Sequence, residues 1–296
     1  MEFKNHQILC VGEMLWDRLP SGSKPGGAPM NVAIHLKAAG QIVFIAGRVG
    51  KDKAGQDLKK FIKKAGLELD LIQEDELLPT SEVIVELDQE RNAKFIIKEP
   101  VAWDNIEFTD KLAEKAGESG VLIYGSLASR GKKSRDTILK LLDSDAVKLI
   151  DVNFRKPYDT KDIIEPLLKR SDIVKLNDDE LRIIAGWHGK GSFEEKDLAD
   201  WFANRYNVRM VCVTKGARGA LLYSEGEIYE HNGFKVNVVD TVGAGDAFLA
   251  GFLISLFEKK PLADALSFAC ATGAFVAENE GATPVFNIDR IIQIMS

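Results

Sequence analysis

The stretch VLIYGSLASRGKKSRDTILKLLDSDAVKLI, residues 121–150, decides the fold class. It begins with the short apolar run Val121–Tyr124 and ends with a second one, Val147–Ile150. Between them, Arg135–Leu142 has the spacing of apolar residues that is typical of an amphipathic helix. Short continuous apolar runs joined by a helix indicate parallel strands of a sheet that is covered on both faces. The stretch therefore predicts a strand–helix–strand unit.

The same alternation of apolar runs and helical patterns extends to both sides of this unit. Further apolar runs are found at Ile8–Val11, Val43–Ala46, Ile173–Leu176 and Met210–Val213. Helical patterns lie between them at Asn31–Ala39, Asp57–Ala65 and Leu198–Tyr206. Because no Pro-, Gly- or Ser-rich linker interrupts the series, the pattern predicts an α/β fold built on a mostly parallel sheet.

Two segments depart from this rhythm. Ser81–Leu87 (SEVIVEL) alternates polar and apolar residues, and Ala93–Lys98 (AKFIIK) follows it after the short polar segment 88–92. This arrangement predicts an antiparallel hairpin, to which the residues from Met14 to Lys24 could add further strands. Since such a ribbon has no helix of its own, its apolar face must be buried against the main domain or against a second copy of the chain.

Composition and charge exclude several classes of protein. The chain has 296 residues, 45% apolar and 28% charged, with a formal net charge of −6, so neither nucleic acid nor an anionic membrane is expected as a partner. No apolar run reaches the ~18 residues of a membrane span and the first residues lack a secretion-type pattern, so we expect a cytoplasmic protein. The isolated Cys10, Cys212 and Cys270 form no CxxC pair and are expected to be core residues.

The clearest chemical signal is Val239–Gly251 (VDTVGAGDAFLAG), where a strand-like run ends in a Gly-Ala-Gly turn and an apolar-periodic helix follows. Backbone N–H groups around Gly243 and Gly245 can hold an anion, because glycine permits close approach and the helix dipole adds positive potential. Asp246 falls in the first helical turn, where we expect it to stay ionised at neutral pH and to accept a proton from an alcohol. The alternative is a first-turn acid beside a packing glycine.

Two widespread nucleotide-binding motifs are missing from the sequence. There is no GxxxxGK(S/T) segment, and Gly243-x-Gly245-x-x-Phe248 lacks the third glycine of the dinucleotide fingerprint. A P-loop ATPase and a Rossmann dehydrogenase are therefore not expected.

Several segments resemble the ribokinase-like (PfkB) family of carbohydrate kinases. Residues 240–248 (DTVGAGDAF) are similar to the family's C-terminal signature, and residues 26–33 (GGAPMNVA) to its N-terminal sugar-binding segment. Residues 12–17 (GEMLWD) resemble its first strand and the acid that follows. The resemblance runs from about Ile8 to Pro284, nearly the whole chain. Smaller similar pieces occur in the family's order at 151–155, 177–180 and 214–219.

This resemblance implies both a fold and a reaction. Residues 1–296 would form one Rossmann-like α/β/α three-layer domain, with a small β-sheet lid inserted from about residues 14–25 and 81–99. ATP would donate its γ-phosphoryl group to a primary hydroxyl of a sugar, with Asp246 as the catalytic base. The backbone N–H groups that would surround the transferring group belong to Gly243, Ala244, Gly245 and Asp246.

The resemblance also assigns residues to ATP and Mg²⁺. Arg155 would reach the phosphates, and Glu180 would order the water around the metal ion. The other residues assigned to the ATP site are Asn177, Thr214, Gly216, Gly219 and Asn279. Structural alternatives stay open: Asn177 and Glu180 have the spacing of a helix capping box, the two glycines could be turn residues only, and Arg155 could pair with Asp159 or Asp162.

Sugar recognition would fall to residues of the N-terminal half. Asp17 and Asn31 offer an acceptor and a donor for hydroxyl groups, and Gly27 allows close approach to the sugar ring. Each residue also has a structural alternative: a turn acid, a residue of a helix N-terminus and a turn glycine, respectively.

The expected sugar is inferred from two segments whose residues look most like those of fructokinases within the family. They are GGAPMN at residues 26–31 and VAWD at residues 101–104, although Trp103 and Asp104 could equally be a hinge residue and a helix cap. We therefore expect D-fructose as the substrate and fructose 6-phosphate as the product. Ribose, 2-keto-3-deoxygluconate and nucleosides are the alternatives within the family, and a silent sugar- or nucleotide-binding regulator is the alternative outside it.

Two more expectations concern ions and assembly. Enzymes that this chain resembles often bind K⁺ through carbonyl groups, which here would lie near Asp240 and Val242 and after Gly273. We also expect a homodimer in which Ser81–Leu87 and Ala93–Lys98 of each chain pack against their counterparts.

Overall fold

The computed structural model describes residues 2–19, 22–87 and 93–296. Its strands, in chain order, are β1 (Gln7–Val11), β2 (Leu15–Leu19), β3 (Gly22–Gly26), β4 (Ile42–Gly50), β5 (Ile72–Asp75), β6 (Ser81–Leu87), β7 (Ala93–Ile97), β8 (Val121–Gly125), β9 (Val147–Asp151), β10 (Ile173–Asn177), β11 (Met210–Thr214), β12 (Ala220–Ser224) and β13 (Glu227–His231). Its helices are α1 (Ala28–Ala38), α2 (Lys53–Lys64), α3 (Asp110–Glu118), α4 (Lys132–Leu141), α5 (Lys161–Leu168), α6 (Asp178–Gly186), α7 (Glu195–Tyr206), α8 (Ala244–Phe257), α9 (Leu262–Ala277) and α10 (Ile288–Met295).

The large sheet has the strand order β13-β12-β11-β10-β9-β8-β1-β4-β5. Its strands from β11 to β5 run parallel, and β12 and β13 are antiparallel additions at one edge. The predicted unit of residues 121–150 is present, since β8 and β9 pair in parallel with Val121 opposite Val147 and α4 lies between them in the chain. These features confirm the α/β fold class.

The order of the strands indicates where a ligand would bind. The chain passes from β1 to β4 on one side, and later returns to β8 on the other side of β1 before continuing to β9, β10 and β11. In such open sheets the connections leave on opposite sides of the reversal point, which opens a crevice at the carboxyl ends of the strands. That crevice lies beside the ends of β1 and β8.

Two apolar cores cover the two faces of this sheet. Ile8 packs on the face that carries α1, α8 and α9, and its neighbour Leu9 packs on the opposite face with α3 to α7. This division follows from the two-residue period of a strand, which directs successive side chains to opposite faces. Helix α8 is buried almost all round, and all three cysteines are free and buried, as expected.

A separate four-stranded sheet has the order β3-β2-β6-β7. β6 and β7 are antiparallel with Val83 opposite Ile97, which is the predicted hairpin, and the predicted turn 88–92 lies outside the described residues. β2 and β3 come from the segment after Met14 and join the hairpin through parallel pairing of β2 with β6. We call this unit the small sheet.

One expectation about local structure was wrong. The run before Gly243 is not a strand: it has no partner strand in the described chain, Val239 is 65% exposed, and its N–H donates to the Ala277 carbonyl at 2.8 Å. The strands β5, β12 and β13 were not predicted. β5 and β13 are short strands at the two edges of the sheet, whereas β12 is a buried apolar run between β11 and β13. Among the described residues, no helix combines the length and the apolar character needed to span a membrane.

Candidate active site

A cavity of about 520 Å³ lies in the crevice, bordered by the large sheet, the small sheet and the start of α8. This volume is within the range of small-molecule sites. Val83 and Ile97 of the small sheet line it, so part of the hairpin's apolar face covers the cavity of its own chain. The polar side chains that line it are Glu13, Asp17, Lys24, Asn31, Asp151, Asn153, Arg155, Lys175, Asp240, Thr241 and Asp246.

The sharp turn before α8 requires a glycine. Gly243 is the N-cap residue and has φ 78°, in the left-handed region. A Cβ atom at this position would lie 2.5 Å from the carbonyl oxygen of Ala282. Ala282 is itself held in place, because its carbonyl accepts a hydrogen bond from His35 Nε2 at 2.9 Å. The backbone at the start of α8 is therefore held closely against Ala282, and Ala282 is in turn held by His35.

The first turn of α8 presents free backbone donors. The N–H groups of Gly243, Gly245 and Asp246 have no acceptor among the described residues, whereas the N–H of Ala244 donates to the Thr241 carbonyl at 3.2 Å. Unpaired N–H groups at a helix start attract anions. Of the four groups assigned to the anion hole, three are thus free in this structure.

Asp246 lies at the meeting point of α8 and the cavity. It is 8% exposed, and its Oδ2 accepts a hydrogen bond from Asn31 Nδ2 at 2.8 Å. Burial raises the pKa of Asp246 to about 7 and the nearby Asp151 adds to the rise, while Asn31, Lys175 and Arg155 oppose it. The expectation that Asp246 stays ionised at neutral pH is therefore corrected, because desolvation at this depth outweighs the favourable first-turn position.

A buried ion pair stands next to Asp246. Lys175 Nζ donates to both oxygens of Asp151 at 2.8 Å, and both residues are almost fully buried. Burial alone would lower the pKa of Lys175, but the attraction and hydrogen bonds of Asp151 raise it above its usual range. Lys175 Nζ also lies 3.4 Å from where a Cβ at Gly245 would be, so a cation adjoins the free N–H groups.

Sequence reasoning missed Lys175 and gave Asp151 no role. The one available signal was a lysine inside the otherwise apolar run IVKL of β10. Such a residue needs a buried partner, but its identity depends on the pairing of β9 with β10.

The residues expected to bind the sugar all line the cavity. The Asp17 carboxylate has no hydrogen-bond or ion-pair partner within the described chain, and burial raises its pKa while Arg155 opposes the rise. Gly27 has φ 117°, and a Cβ there would lie 2.5 Å from the Glu13 carbonyl oxygen. The turn-glycine alternative for Gly27 is thus also realised. Glu13, which sequence reasoning missed, lines the same wall.

Arg155 is free to meet an anion. It is exposed and lines the cavity, and no carboxylate of the described residues lies within 4.0 Å of its guanidinium. The alternative pairing with Asp159 or Asp162 is therefore not formed. Its Nη1 donates only to the Phe154 carbonyl, at 2.8 Å.

Asn177 and Glu180 form the capping box that was the structural alternative for them. Glu180 N–H donates to Asn177 Oδ1 and Asn177 N–H donates to Glu180 Oε2, both at 2.8 Å. Glu180 Oε1 accepts the Phe154 N–H at 2.7 Å, and burial raises the pKa of Glu180. Both residues lie at the carboxyl end of β10, outside the lining of the cavity.

The other residues assigned to ATP are also outside this cavity. Thr214 ends β11, Gly216 begins the exposed turn that follows, and a Cβ at Gly219 would lie 1.9 Å from the His231 carbonyl oxygen. Gly219 is thus required by close backbone packing. Asn279 lines a second cavity of about 550 Å³, together with Val239, Phe275 and Arg290, and its Nδ2 donates to the Phe275 carbonyl.

Three remaining positions have structural roles in the described residues. Asp240 accepts the N–H groups of Val242 at 3.0 Å and Gly281 at 3.1 Å. Trp103 is fully buried. Asp104 is not itself a cap residue: it lies within the short 3-10 helix Ala102–Asn105, whose N-cap is Val101, and its carboxylate accepts the Val101 N–H and two hydrogen bonds from Arg130. No group of three or more His, Cys, Asp or Glu side chains suited to a metal ion occurs in the described part of the chain.

Comparison with known proteins agrees with this geometry. The family model "pfkB family carbohydrate kinase" matches residues 21–288. The fructokinase of Escherichia coli is 30% identical over 266 residues, 84% of each chain, and that of Klebsiella pneumoniae is 30% identical over 94% of this chain and 95% of its own. A double-mutant fructokinase of Vibrio cholerae O395, in fructose, ADP and potassium ion bound form, matches with a TM-score of 0.84 over both whole chains at 23% identity, which shows the fold.

These matches confirm the resemblance found in the two signatures. The family model covers most of the chain, and both relatives at 30% identity align over the greater part of their length. The chain therefore belongs to the pfkB family of carbohydrate kinases.

Proposed function

We propose that this carbohydrate kinase transfers the γ-phosphoryl group of ATP to the 6-hydroxyl of D-fructose. The observation that carries the proposal is the place of Asp246, a buried carboxyl between the free N–H groups of α8 and a cavity of sugar size. The choice of fructose rests on the two fructokinases that are 30% identical to this chain.

Asp246 would act on the sugar hydroxyl directly. Its free lone pairs can accept the proton of the hydroxyl that attacks the phosphoryl group, and its pKa of about 7 suits a group that accepts and releases protons near neutral pH. Asn31 holds Oδ2 in position through the hydrogen bond at 2.8 Å. Asp17, Asn31, Gly27 and Arg155 line the space that the remainder of the sugar would fill.

The charge that develops on the phosphoryl group would be stabilised by fixed donors. The N–H groups of Gly243, Gly245 and Asp246 are already oriented and unpaired within the described chain, so they need no reorganisation during the reaction. Lys175 adds positive charge beside them, and Arg155 can reach phosphate oxygens without first breaking an ion pair. We assign phosphate binding to these groups.

ATP would extend from this point along the carboxyl ends of β10 and β11. Asn177, Thr214, Gly216 and Gly219 lie on that route, and the second cavity beside Asn279 offers an apolar wall from Phe275 and Val239 for the adenine. Mg²⁺ bound to the phosphates would neutralise part of their charge. Glu180 fits a water-mediated contact, because each of its oxygens accepts one backbone N–H and keeps a lone pair.

The proposal also includes an ion, a lid and a dimer. K⁺ would bind carbonyl groups near Asp240 and Val242, whose loop is tied to Gly281 by a hydrogen bond. The small sheet would act as the lid, since Val83 and Ile97 cover the cavity and Lys24 of β3 pairs with Glu280 at 2.8 Å. Two chains would associate through the small sheet, whose strands β3 and β7 are open edges in the described chain.

An assay of ADP release over a panel of sugars tests the proposal. D-Fructose should give the highest kcat/KM, and ribose, 2-keto-3-deoxygluconate and nucleosides lower values, with higher rates in potassium than in sodium buffer. A different preferred sugar would overturn the choice of fructose. If no member of the panel caused ADP release while sugar or ATP still bound, the chain would be a silent binding protein and the catalytic proposal would fail.

A further inference from the structure

The mechanism proposed above assigns no role to the buried carboxylate of Glu13. Glu13 follows β1 at the carboxyl edge of the large sheet and lines the cavity with Asp17 and Asp246. Its side chain is 2% exposed, and its Oε2 has no hydrogen-bond partner in the described part of the chain. A buried carboxylate oxygen without a donor is unfavourable, so native structures seldom keep one unless a ligand or water completes it.

The backbone around Glu13 is held rigidly. Gly12 lies against the first turn of α1, where a Cβ would come within 2.7 Å of Pro29 Cγ, and Gly27 lies against the Glu13 carbonyl. The sequence thus has glycine at both points of close contact. A carboxylate on such a backbone is positioned before any ligand arrives, which lowers the entropy cost of binding.

The surroundings of Glu13 indicate the chemistry of the missing donor. Its carboxylate and those of Asp17 and Asp246 line the cavity on the sugar side. The cations that line the same cavity are Arg155, which is exposed, Lys24, which is partly buried and pairs with Glu280, and Lys175, which pairs with Asp151. Burial raises the pKa of Glu13 to about 7, its own N–H, Arg155 and the Ala28 N–H oppose the rise, and Asp246 adds to it. This environment suits a neutral molecule with O–H donors and opposes a second negative charge.

We propose that Glu13 binds a sugar hydroxyl other than the one that is phosphorylated, through Oε2, and that it selects neutral sugars against sugar acids. The proposal rests on the sugar-kinase function above. Glu13, which lines the cavity together with Asp17, would then help to determine which sugars the enzyme accepts. The proposal also explains why a carboxyl is kept at a buried position that contributes nothing to the fold's own hydrogen bonding at Oε2.

The first test is the kinetics of Glu13→Gln, with Glu114→Gln on the exposed surface of α3 as the matched control. Loss of a hydrogen bond to a charged group should raise KM for the sugar by about 10- to 100-fold, while KM for ATP stays within about twofold. The control should match the wild type. A Glu13→Gln enzyme with an unchanged sugar KM would overturn the proposal.

The second test measures charge selection with D-gluconate as a competitive inhibitor. In Glu13→Gln, the gluconate inhibition constant itself should fall at least about tenfold although the sugar KM rises, because one repulsive charge is removed. Glu13→Asp keeps the charge but moves it away from the sugar, so its sugar KM should rise while its gluconate inhibition constant does not fall. A gluconate inhibition constant that is the same in the wild type and Glu13→Gln would contradict the selection.

The two proposals can fail separately. If the wild type phosphorylates no neutral sugar, both the proposed function and the proposed role of Glu13 are refuted. If the wild type phosphorylates fructose and both Glu13 variants keep its sugar KM, only the role of Glu13 is refuted. A cooperative thermal unfolding transition shows that a variant is folded. If Glu13→Gln does not fold, the sugar KM of Glu13→Asp provides the test.

Discussion

At the scale of single residues, the site is made by pairs that are far apart in the chain. Asn31 and Asp246 are separated by 215 positions and meet at 2.8 Å. Lys175 and Asp151 meet because β9 and β10 are neighbours in the sheet. Burial of a charged group without a partner is unfavourable, and each pair supplies a partner to a buried carboxylate. Charged side chains can therefore be accommodated in the buried part of the cavity.

The raised pKa of Asp246 predicts how activity depends on pH. The base must be deprotonated to accept a proton, so kcat/KM for the sugar should rise with pH and level off above about 7. Glu13 titrates in the same range and is coupled to Asp246, so the profile reports both carboxyls together. A flat profile of initial rates between pH 5 and pH 8, taken in roughly unit steps, would contradict this account.

The same pKa predicts a stability difference of definite sign. A carboxyl whose pKa is higher in the folded than in the unfolded protein binds protons more tightly when folded, so the free energy of unfolding falls as pH rises from about 4 to about 7. Asp246→Asn lacks this titration. Its stability relative to the wild type should therefore increase over that range, as measured by urea unfolding without ligands. A difference that is independent of pH would show that Asp246 is not buried in this way.

At the scale of elements, features that are encoded by a few neighbouring residues could be predicted from the sequence, whereas features that depend on tertiary contacts could not. The unit 121–150, the Gly-Ala-Gly turn and the capping box at Asn177 are encoded within a few residues, and these features are present. The run before Gly243 has the composition of a strand but pairs with no strand of the described residues, so it lies outside the sheet. Lys175 and Glu13 acquire their surroundings only when distant elements pack, which a single sequence does not display.

The turn before α8 is predicted to tolerate no side chain. In Gly243→Ala, the new Cβ would approach the Ala282 carbonyl to 2.5 Å in a left-handed backbone conformation, so the first turn must shift. Displacement of the N–H donors by about 1 Å should lower kcat by roughly 100-fold. Gly226→Ala is the control, because Gly226 also has a positive φ but open space around it. Equal kcat values for the two variants would show that the geometry of this turn is unimportant.

At the scale of the whole molecule, the topology brings the two halves of the site together. The reversal of strand order beside β1 opens the crevice, the small sheet covers it with Val83 and Ile97, and α8 brings its N-terminus to the same point. Lys24 links the small sheet to Glu280 at 2.8 Å and approaches Asp240 at 4.0 Å. A sugar held between these parts would be shielded from water, which favours transfer to the sugar over hydrolysis of ATP.

The dimer remains a prediction at this scale. Val83 and Ile97 of the hairpin cover the cavity of their own chain. Within the residues that the structure describes, however, β3 and β7 are open edges of the small sheet, and its own segments contain no helix that covers it. Sedimentation equilibrium at micromolar concentration should give the mass of two 32.7 kDa chains. The mass of a single chain under these conditions would refute the association.

The central claim is that Asp246 is the catalytic base, and turnover of Asp246→Asn tests it most directly. Asn has nearly the same size and can still accept the hydrogen bond from Asn31, so the fold and the binding of sugar and ATP should survive. The variant lacks the negative oxygen that orients the hydroxyl and takes its proton, so kcat should fall about 100- to 10,000-fold, with both KM values within a few-fold. A folded Asp246→Asn enzyme that keeps more than about a tenth of the wild-type kcat would contradict the account, since even the smallest expected loss is about a hundredfold.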